Sequence, residues 1–158
     1  MSPISLALWI ALNAWQVSPP PPAIQRLCSA TFDHDRKKPS RVDNEAKACL
    51  DDIALQLQRS PDAWLVLVGN SAADNNLAAQ RAVNMKAYLV TEKAIEASRI
   101  VVLTGSKNTE EVEDFLAPLK PDPEKDFPNT KPVDEAKVRP QSRFGPRPVH
   151  RSTNSPNS

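Results

Sequence analysis

The sequence predicts one two-layer α/β (α+β) sandwich, and three observations lead to this fold class. Two short apolar runs, residues 64–68 (WLVLV) and 100–103 (IVVL), are typical of buried strands. Apolar residues recur at helical spacing ahead of each run. Most of the 16 prolines lie outside the stretch 40–117, which holds only Pro61. About 90 residues therefore remain for a single core.

The predicted order of elements is βαβαβ(β). Strand one is predicted at residues 28–32 (CSATF), where small or apolar residues alternate with polar ones. Helix one begins near Val42 and stops before Pro61. After the first apolar run comes a polar loop, SAADNN, whose last three residues are competent caps for a helix that runs to Val90. The segment EVEDFL after the second run fits either a fourth strand or a short helical turn.

The two ends of the chain differ from its middle. Residues 4–17 form an apolar run of 14 residues, whereas a membrane span needs about 20. Segment 1–18 is therefore interpreted as a secretory signal or as a truncated or misplaced chain start. Segment 19–26 predicts a stiff proline-rich spacer, and segment 118–158 predicts a disordered, basic, proline-rich tail.

Composition excludes several classes of function. Residues 27–117 hold 11 basic against 14 acidic side chains, and residues 118–158 hold 8 against 5, which does not suggest a nucleic-acid partner. With only 3 glycines no phosphate-binding loop can be written. Two histidines and two cysteines leave little for a metal centre or a catalytic triad, so we expect neither cofactor nor catalysis. Adjacent carboxylates such as those of Glu110 and Glu111 point apart, and we expect them to lie on solvated surfaces of the protein.

Four local signatures lie along the predicted domain, 27–117. They are FDHD at 32–35, VLVGNSA at 66–72, LAAQRA at 77–82 with YLV at 88–90, and IEASRI at 95–100. Together they cover most of the domain, and in sequence and order they resemble the peptidoglycan-associated domain of the OmpA family and of the Pal lipoprotein.

The resemblance implies a non-catalytic cell-envelope module that binds peptidoglycan through diaminopimelate. In this family an aspartate takes the ammonium of that residue and an arginine takes its carboxylate, assisted by amide groups at a helix N-terminus. Arg81 occupies the arginine position, while Ala72 stands where the acid would be and the loop is shortened. The implied ligand-binding residues are Arg81, Asp74, Asn70, Ser71, Asn75 and Asp35.

Two alternatives remain open at this point. Asp74 either substitutes for the missing acid or serves only as a helix cap. The chain either binds peptidoglycan or is a degenerate OmpA-like fold that serves as a structural or protein-interaction domain of an exported protein. The resemblance also implies a location in the bacterial envelope or periplasm, with peptidoglycan and other envelope proteins as partners and no membrane span in this chain.

The two cysteines allow two interpretations. Cys28 in strand one and Cys49 on the inward side of helix one fall at similar levels if the helix returns antiparallel over the strand. They then form a disulfide, which stabilises a domain of this size by about 3 kcal/mol and suits an oxidising compartment. Otherwise they are two small buried thiols.

Overall fold

A computed structural model describes residues 23–138. The predicted signal-like segment 1–18 and the part of the predicted tail after residue 138 lie outside these residues. The main elements are β1 (Gln25–Thr31), α1 (Asn44–Arg59), β2 (Trp64–Gly69), α2 (Asn75–Lys93), β3 (Ile100–Thr104), β4 (Glu111–Ala117), α3 (Pro123–Asp126) and β5 (Lys131–Pro132).

The strands form one mixed sheet in the order β1-β4-β2-β3-β5. Strands β2 and β3 run parallel, and every other neighbouring pair is antiparallel. The α/β fold class predicted from the sequence is confirmed. The segment EVEDFL is a strand, and it lies between β1 and β2 rather than at an edge.

Local chemistry explains where α1 begins and ends. The carboxylate of Asp43 accepts a hydrogen bond from the backbone N–H of Ala46 at 2.9 Å, which caps the first turn. At the other end, the guanidinium of Arg99 donates to the carbonyl oxygens of Leu57 and Ser60 at 3.1 and 2.8 Å. Carbonyl groups that the helix leaves unpaired are thereby satisfied.

The main core lies between the two long helices and one face of the sheet. Gly69 closes β2 where α2 approaches it, and a Cβ there would come within 2.2 Å of the carbonyl oxygen of Ala78. Only glycine allows this approach. Large side chains with almost no exposed surface fill this layer: Leu50, Ile53, Leu57, Leu65, Leu67, Met85 and Leu89. Among residues 23–138, no helix is both long enough and apolar enough to cross a membrane.

The chain after Pro118 covers part of the opposite face of the sheet. Phe127 follows α3, is 8 % exposed, and packs with Val66, Val68 and Leu103. Its ring also meets that of Phe115 edge to face, with the centroids 5.3 Å apart. The prediction of disorder from residue 118 is wrong for residues 118–138, because one aromatic side chain gives this polar segment an apolar anchor.

The N-terminal boundary also differs from the prediction. Strand β1 begins at Gln25, so the last residues of the predicted spacer 19–26 pair with β4 instead of standing free. Hydrogen bonding along the backbone does not need apolar side chains, which is why the pattern did not show it.

The packing of Phe127 gives a test of the ordered C-terminal segment. Phe127→Ala should lower the free energy of unfolding by about 3 kcal/mol, the low end for a buried phenylalanine. Leu119→Ala is the matched control, since Leu119 is 72 % exposed, and it should change stability by less than about 0.5 kcal/mol. Urea unfolding followed by circular dichroism measures both. Equal stabilities for the two variants would mean that residues 118–138 do not pack on the sheet.

Candidate functional site

The residues predicted to bind ligand lie around the end of β2 and the start of α2, with Asp35 on the loop after β1. Asn70 is fully buried, whereas Asp74 and Asn75 are exposed. Ser71 lies between them and is partly buried. The shortened loop therefore brings most of the predicted residues to one end of the sheet.

Arg81 lies inside the protein rather than over a cleft. It is only 1 % exposed, and its guanidinium stacks on the ring of Phe32 with 5.2 Å between the guanidinium carbon and the centroid. Its Nε donates to the carbonyl oxygen of Pro39 at 2.8 Å, and its Nη1 donates to that of Asn70 at 3.4 Å. The same Nη1 forms an ion pair with the carboxylate of Glu110.

Glu110 is a residue of the candidate site that the sequence did not reveal. Its carboxylate accepts hydrogen bonds from the backbone N–H of Ala72 at 2.7 Å and from the hydroxyl of Ser71 at 3.2 Å, in addition to the ion pair with Arg81. The prediction of a solvated Glu110 is wrong, because Arg81 lies 29 residues away in sequence and nothing local indicates it. The donors from Arg81, Ser71 and Ala72 thus hold a carboxylate that the chain itself supplies.

The surroundings of Glu110 favour its charged form. Burial raises the pKa of Glu110, but the hydrogen bonds from Arg81, from the Ala72 amide and from Ser71 outweigh burial and hold the pKa below its usual 4.5. At neutral pH the arrangement is therefore an ion pair between a buried guanidinium and a carboxylate whose side chain is 30 % exposed.

Asp74 caps α2. Its Oδ1 accepts from the backbone N–H of Asn76 at 2.8 Å, as an N-cap aspartate does. The carboxylate remains exposed while Arg81 pairs with Glu110 instead. Asn75 is the first residue of α2 and is also exposed.

Two further predicted residues have structural contacts. Asn70 donates from its side chain to Glu113 at 3.3 Å and accepts from the backbone N–H of Lys107 at 3.2 Å. Asp35 accepts from the backbone N–H groups of Lys37 and Lys38 at 3.0 and 3.1 Å. Asn70 thus joins the end of β2 to β4 and to the loop after β3, whereas these two bonds of Asp35 stay within its own loop.

A second cluster of reactive groups lies where β1, β4 and α1 meet. Cys28 and Cys49 form a disulfide, with 6.4 Å between their Cα atoms, so the predicted pairing is confirmed. The buried side chain of Asp114 from β4 lies against this bond. Burial raises the pKa of Asp114 well above its usual 3.8, and the nearby charge of Glu113 adds to this, whereas that of Arg26 opposes it.

No family model matches the chain, and no curated protein is significantly similar to it.

The Arg81–Glu110 pair predicts how the stability of the fold changes at acid pH. The pKa of Glu110 is lower in the folded protein than its unfolded value near 4.5. Glu110 therefore stabilises the fold above that pH, and this contribution is lost as pH falls through the folded pKa. Glu110→Gln should cost about 2 kcal/mol at pH 7, because Arg81 stays buried without its counter-charge. The difference between wild type and variant should shrink below pH 4.5.

Urea unfolding from pH 3 to pH 8 measures this difference. Glu111→Gln is the control, since among residues 23–138 the Glu111 carboxylate accepts only from the exposed Thr109 hydroxyl at 3.0 Å. A cost for Glu110→Gln that does not vary with pH would contradict the ion pair as its source.

Asp114 should make the stability of the fold depend on pH in the opposite direction. A carboxyl group whose pKa is raised by folding binds more protons in the folded state, so stability falls as pH rises from about 3.8 toward the folded pKa. Within that window the loss is up to about 1.4 kcal/mol per pH unit. Asp114→Asn cannot ionise, so its stability relative to wild type should increase steadily with pH. Urea unfolding at a series of pH values tests this, and parallel profiles for the two proteins would refute it.

Proposed function

We propose that this chain is a non-catalytic OmpA-like module of an exported cell-envelope protein. The βαβαβ(β) order implied by the resemblance agrees with the first six elements. The signature at 66–72 ends β2, that at 77–82 lies in α2, and that at 95–100 leads into β3. The disulfide is compatible with an oxidising compartment such as the periplasm.

Within this class, we favour a structural or protein-interaction role over peptidoglycan binding. One observation carries this choice: the carboxylate of Glu110 takes the donors of Arg81, Ser71 and Ala72. The resemblance assigns the arginine to the carboxylate of diaminopimelate. A stem peptide would have to displace Glu110, whose pairing with Arg81 is intramolecular and therefore costs no association entropy. Other envelope proteins are the partners that this role suggests.

Peptidoglycan binding is the second candidate, and a different feature favours it. The donors around Glu110 already hold a carboxylate, and the Glu110 side chain is 30 % exposed at the protein surface. Asp74 is exposed on the loop that also carries Ser71 and Ala72, and it could receive an ammonium group. If Glu110 swings out, the carboxylate of diaminopimelate would take its place.

Co-sedimentation of the full chain with diaminopimelate-type sacculi distinguishes the two candidates. If Glu110 blocks the site, the wild type should stay in the supernatant, and Glu110→Ala should move into the pellet because the Arg81 donors become free. Free diaminopimelate should compete with that binding. Failure of both wild type and Glu110→Ala to sediment would leave the structural role and refute a latent site.

Asp74→Asn serves as the matched variant for the second candidate. Asparagine caps a helix about as well as aspartate, so the fold is kept while the carboxylate is lost. Wild-type binding that Asp74→Asn weakens by about tenfold, the effect of losing a charge-assisted contact of about 1.4 kcal/mol, would establish peptidoglycan binding and overturn the favoured role.

A further inference from the structure

The carboxyl group of Asp114 lies against both sulfur atoms of the disulfide. Its Oδ2 is 3.4 Å from Sγ of Cys28 and 3.3 Å from Sγ of Cys49. The residue has no exposed surface, and its Oδ1 has no hydrogen-bond partner among the described residues. Two sulfurs and one carboxylate oxygen thus lie within 4.8 Å of one another.

An irregularity in the sheet creates this arrangement. Between the pairs Arg26–Phe115 and Ser29–Glu113, two residues of β1 face the single residue Asp114 of β4. Such a bulge re-aims a side chain and is frequent beside reactive groups. Here it sets Cys28 opposite Asp114 on the side of the sheet that α1 covers.

The contact makes chemical sense only for a protonated carboxyl group. Sulfur atoms of a disulfide carry no hydrogen and can only accept a hydrogen bond, weakly. An ionised Asp114 would therefore face two acceptors without a donor, whereas the protonated acid can direct its O–H at either sulfur. The charged groups that act on Asp114 are Arg26 of β1 and Glu113 of β4, while α1 contributes the apolar Leu50 and Ile53 to the same core.

We propose that the Cys28–Cys49 bond is a reactive disulfide that exchanges with an external dithiol, and that Asp114 is the proton donor to the departing sulfur. Both cysteines are partly exposed, and the exchange requires an external thiolate to reach the bond from that side. This activity is independent of the proposed envelope role and needs no cofactor, since the dithiol is the reductant.

Each step balances in atoms and charge. A thiolate of the dithiol bonds to one cysteine sulfur, the protein S–S bond breaks, and the departing sulfur takes the proton from Asp114. Asp114 regains a proton from solvent, which received the one that the attacking thiol lost. The second thiol of the dithiol loses its proton to solvent and attacks the other dithiol sulfur, which is bonded to the protein in the mixed disulfide. That bond breaks, and the remaining cysteine is released and protonated from solvent. The dithiol is oxidised by two electrons, and Cys28 and Cys49 become thiols. In the reverse direction the Asp114 carboxylate accepts the proton of the attacking thiol.

The test is the rate at which dithiothreitol reduces the full chain, with samples quenched by iodoacetamide and free thiols counted by mass. Asp114→Asn should be reduced at least about tenfold more slowly near pH 7, within the range for loss of a positioned acid. Its rate should follow only the thiolate fraction of dithiothreitol as pH rises. The wild-type rate should rise less steeply than that fraction once Asp114 ionises. Glu111→Gln, on the same strand but away from the sulfurs, should behave as wild type.

Urea distinguishes reduction of the folded protein from reduction that occurs only after the chain has unfolded. Attack on the folded protein gives a wild-type rate that is constant at urea concentrations below the unfolding transition. A rate that rises with urea in step with unfolding would overturn the proposal, since reduction would then need the unfolded chain. Equal rates and equal pH profiles for wild type and Asp114→Asn would also overturn it, as would equal slowing by Glu111→Gln.

Discussion

The structure depends on placing β4, a strand rich in acids, near the middle of the sheet. Strand β4 pairs with β1 on one side and β2 on the other, and four of its seven residues are buried, among them Glu113 and Asp114. Burying a carboxylate without a partner is costly. The fold meets this cost differently for each acid, and those solutions define both clusters of functional interest.

Each acid of this region is accommodated by its own means. Glu113 is 2 % exposed and is paired with Lys107 at 2.7 Å and Arg26 at 3.1 Å. Glu110, just before the strand, is paired with Arg81. Asp114 has no cation within ion-pair distance among the described residues, and burial drives it toward the protonated form. Three ion pairs, and one acid that burial drives toward its neutral form, thus allow one strand to enter the core.

These solutions also shape what the domain can do. The pairing of Arg81 with Glu110 fills a carboxylate site from within, which turns the arginine of the family resemblance into part of the core. The raised pKa of Asp114 favours a proton beside the disulfide over a fixed charge. In both places the need to accommodate an acid in or beside β4 sets the chemistry. At Glu110 the loop from Ser71 to Asp74 adds the Ser71 hydroxyl and the Ala72 amide as donors.

The sequence by itself determined the elements whose signals are local. Apolar runs predicted β2 and β3, and helical spacing with capping residues predicted α1 and α2, because burial and capping act over a few residues. It also placed the two cysteines at matching levels. Only the tertiary structure decided that β4 is an inner strand, that Phe127 anchors residues 118–138, and that Arg81 faces Glu110 rather than solvent. The contacts responsible join residues 29 apart for Arg81 and Glu110 and 86 apart for Cys28 and Asp114. A carboxylate's partner at such separation leaves no pattern in the chain, since charge neutralisation depends on distance in space and not on spacing in sequence.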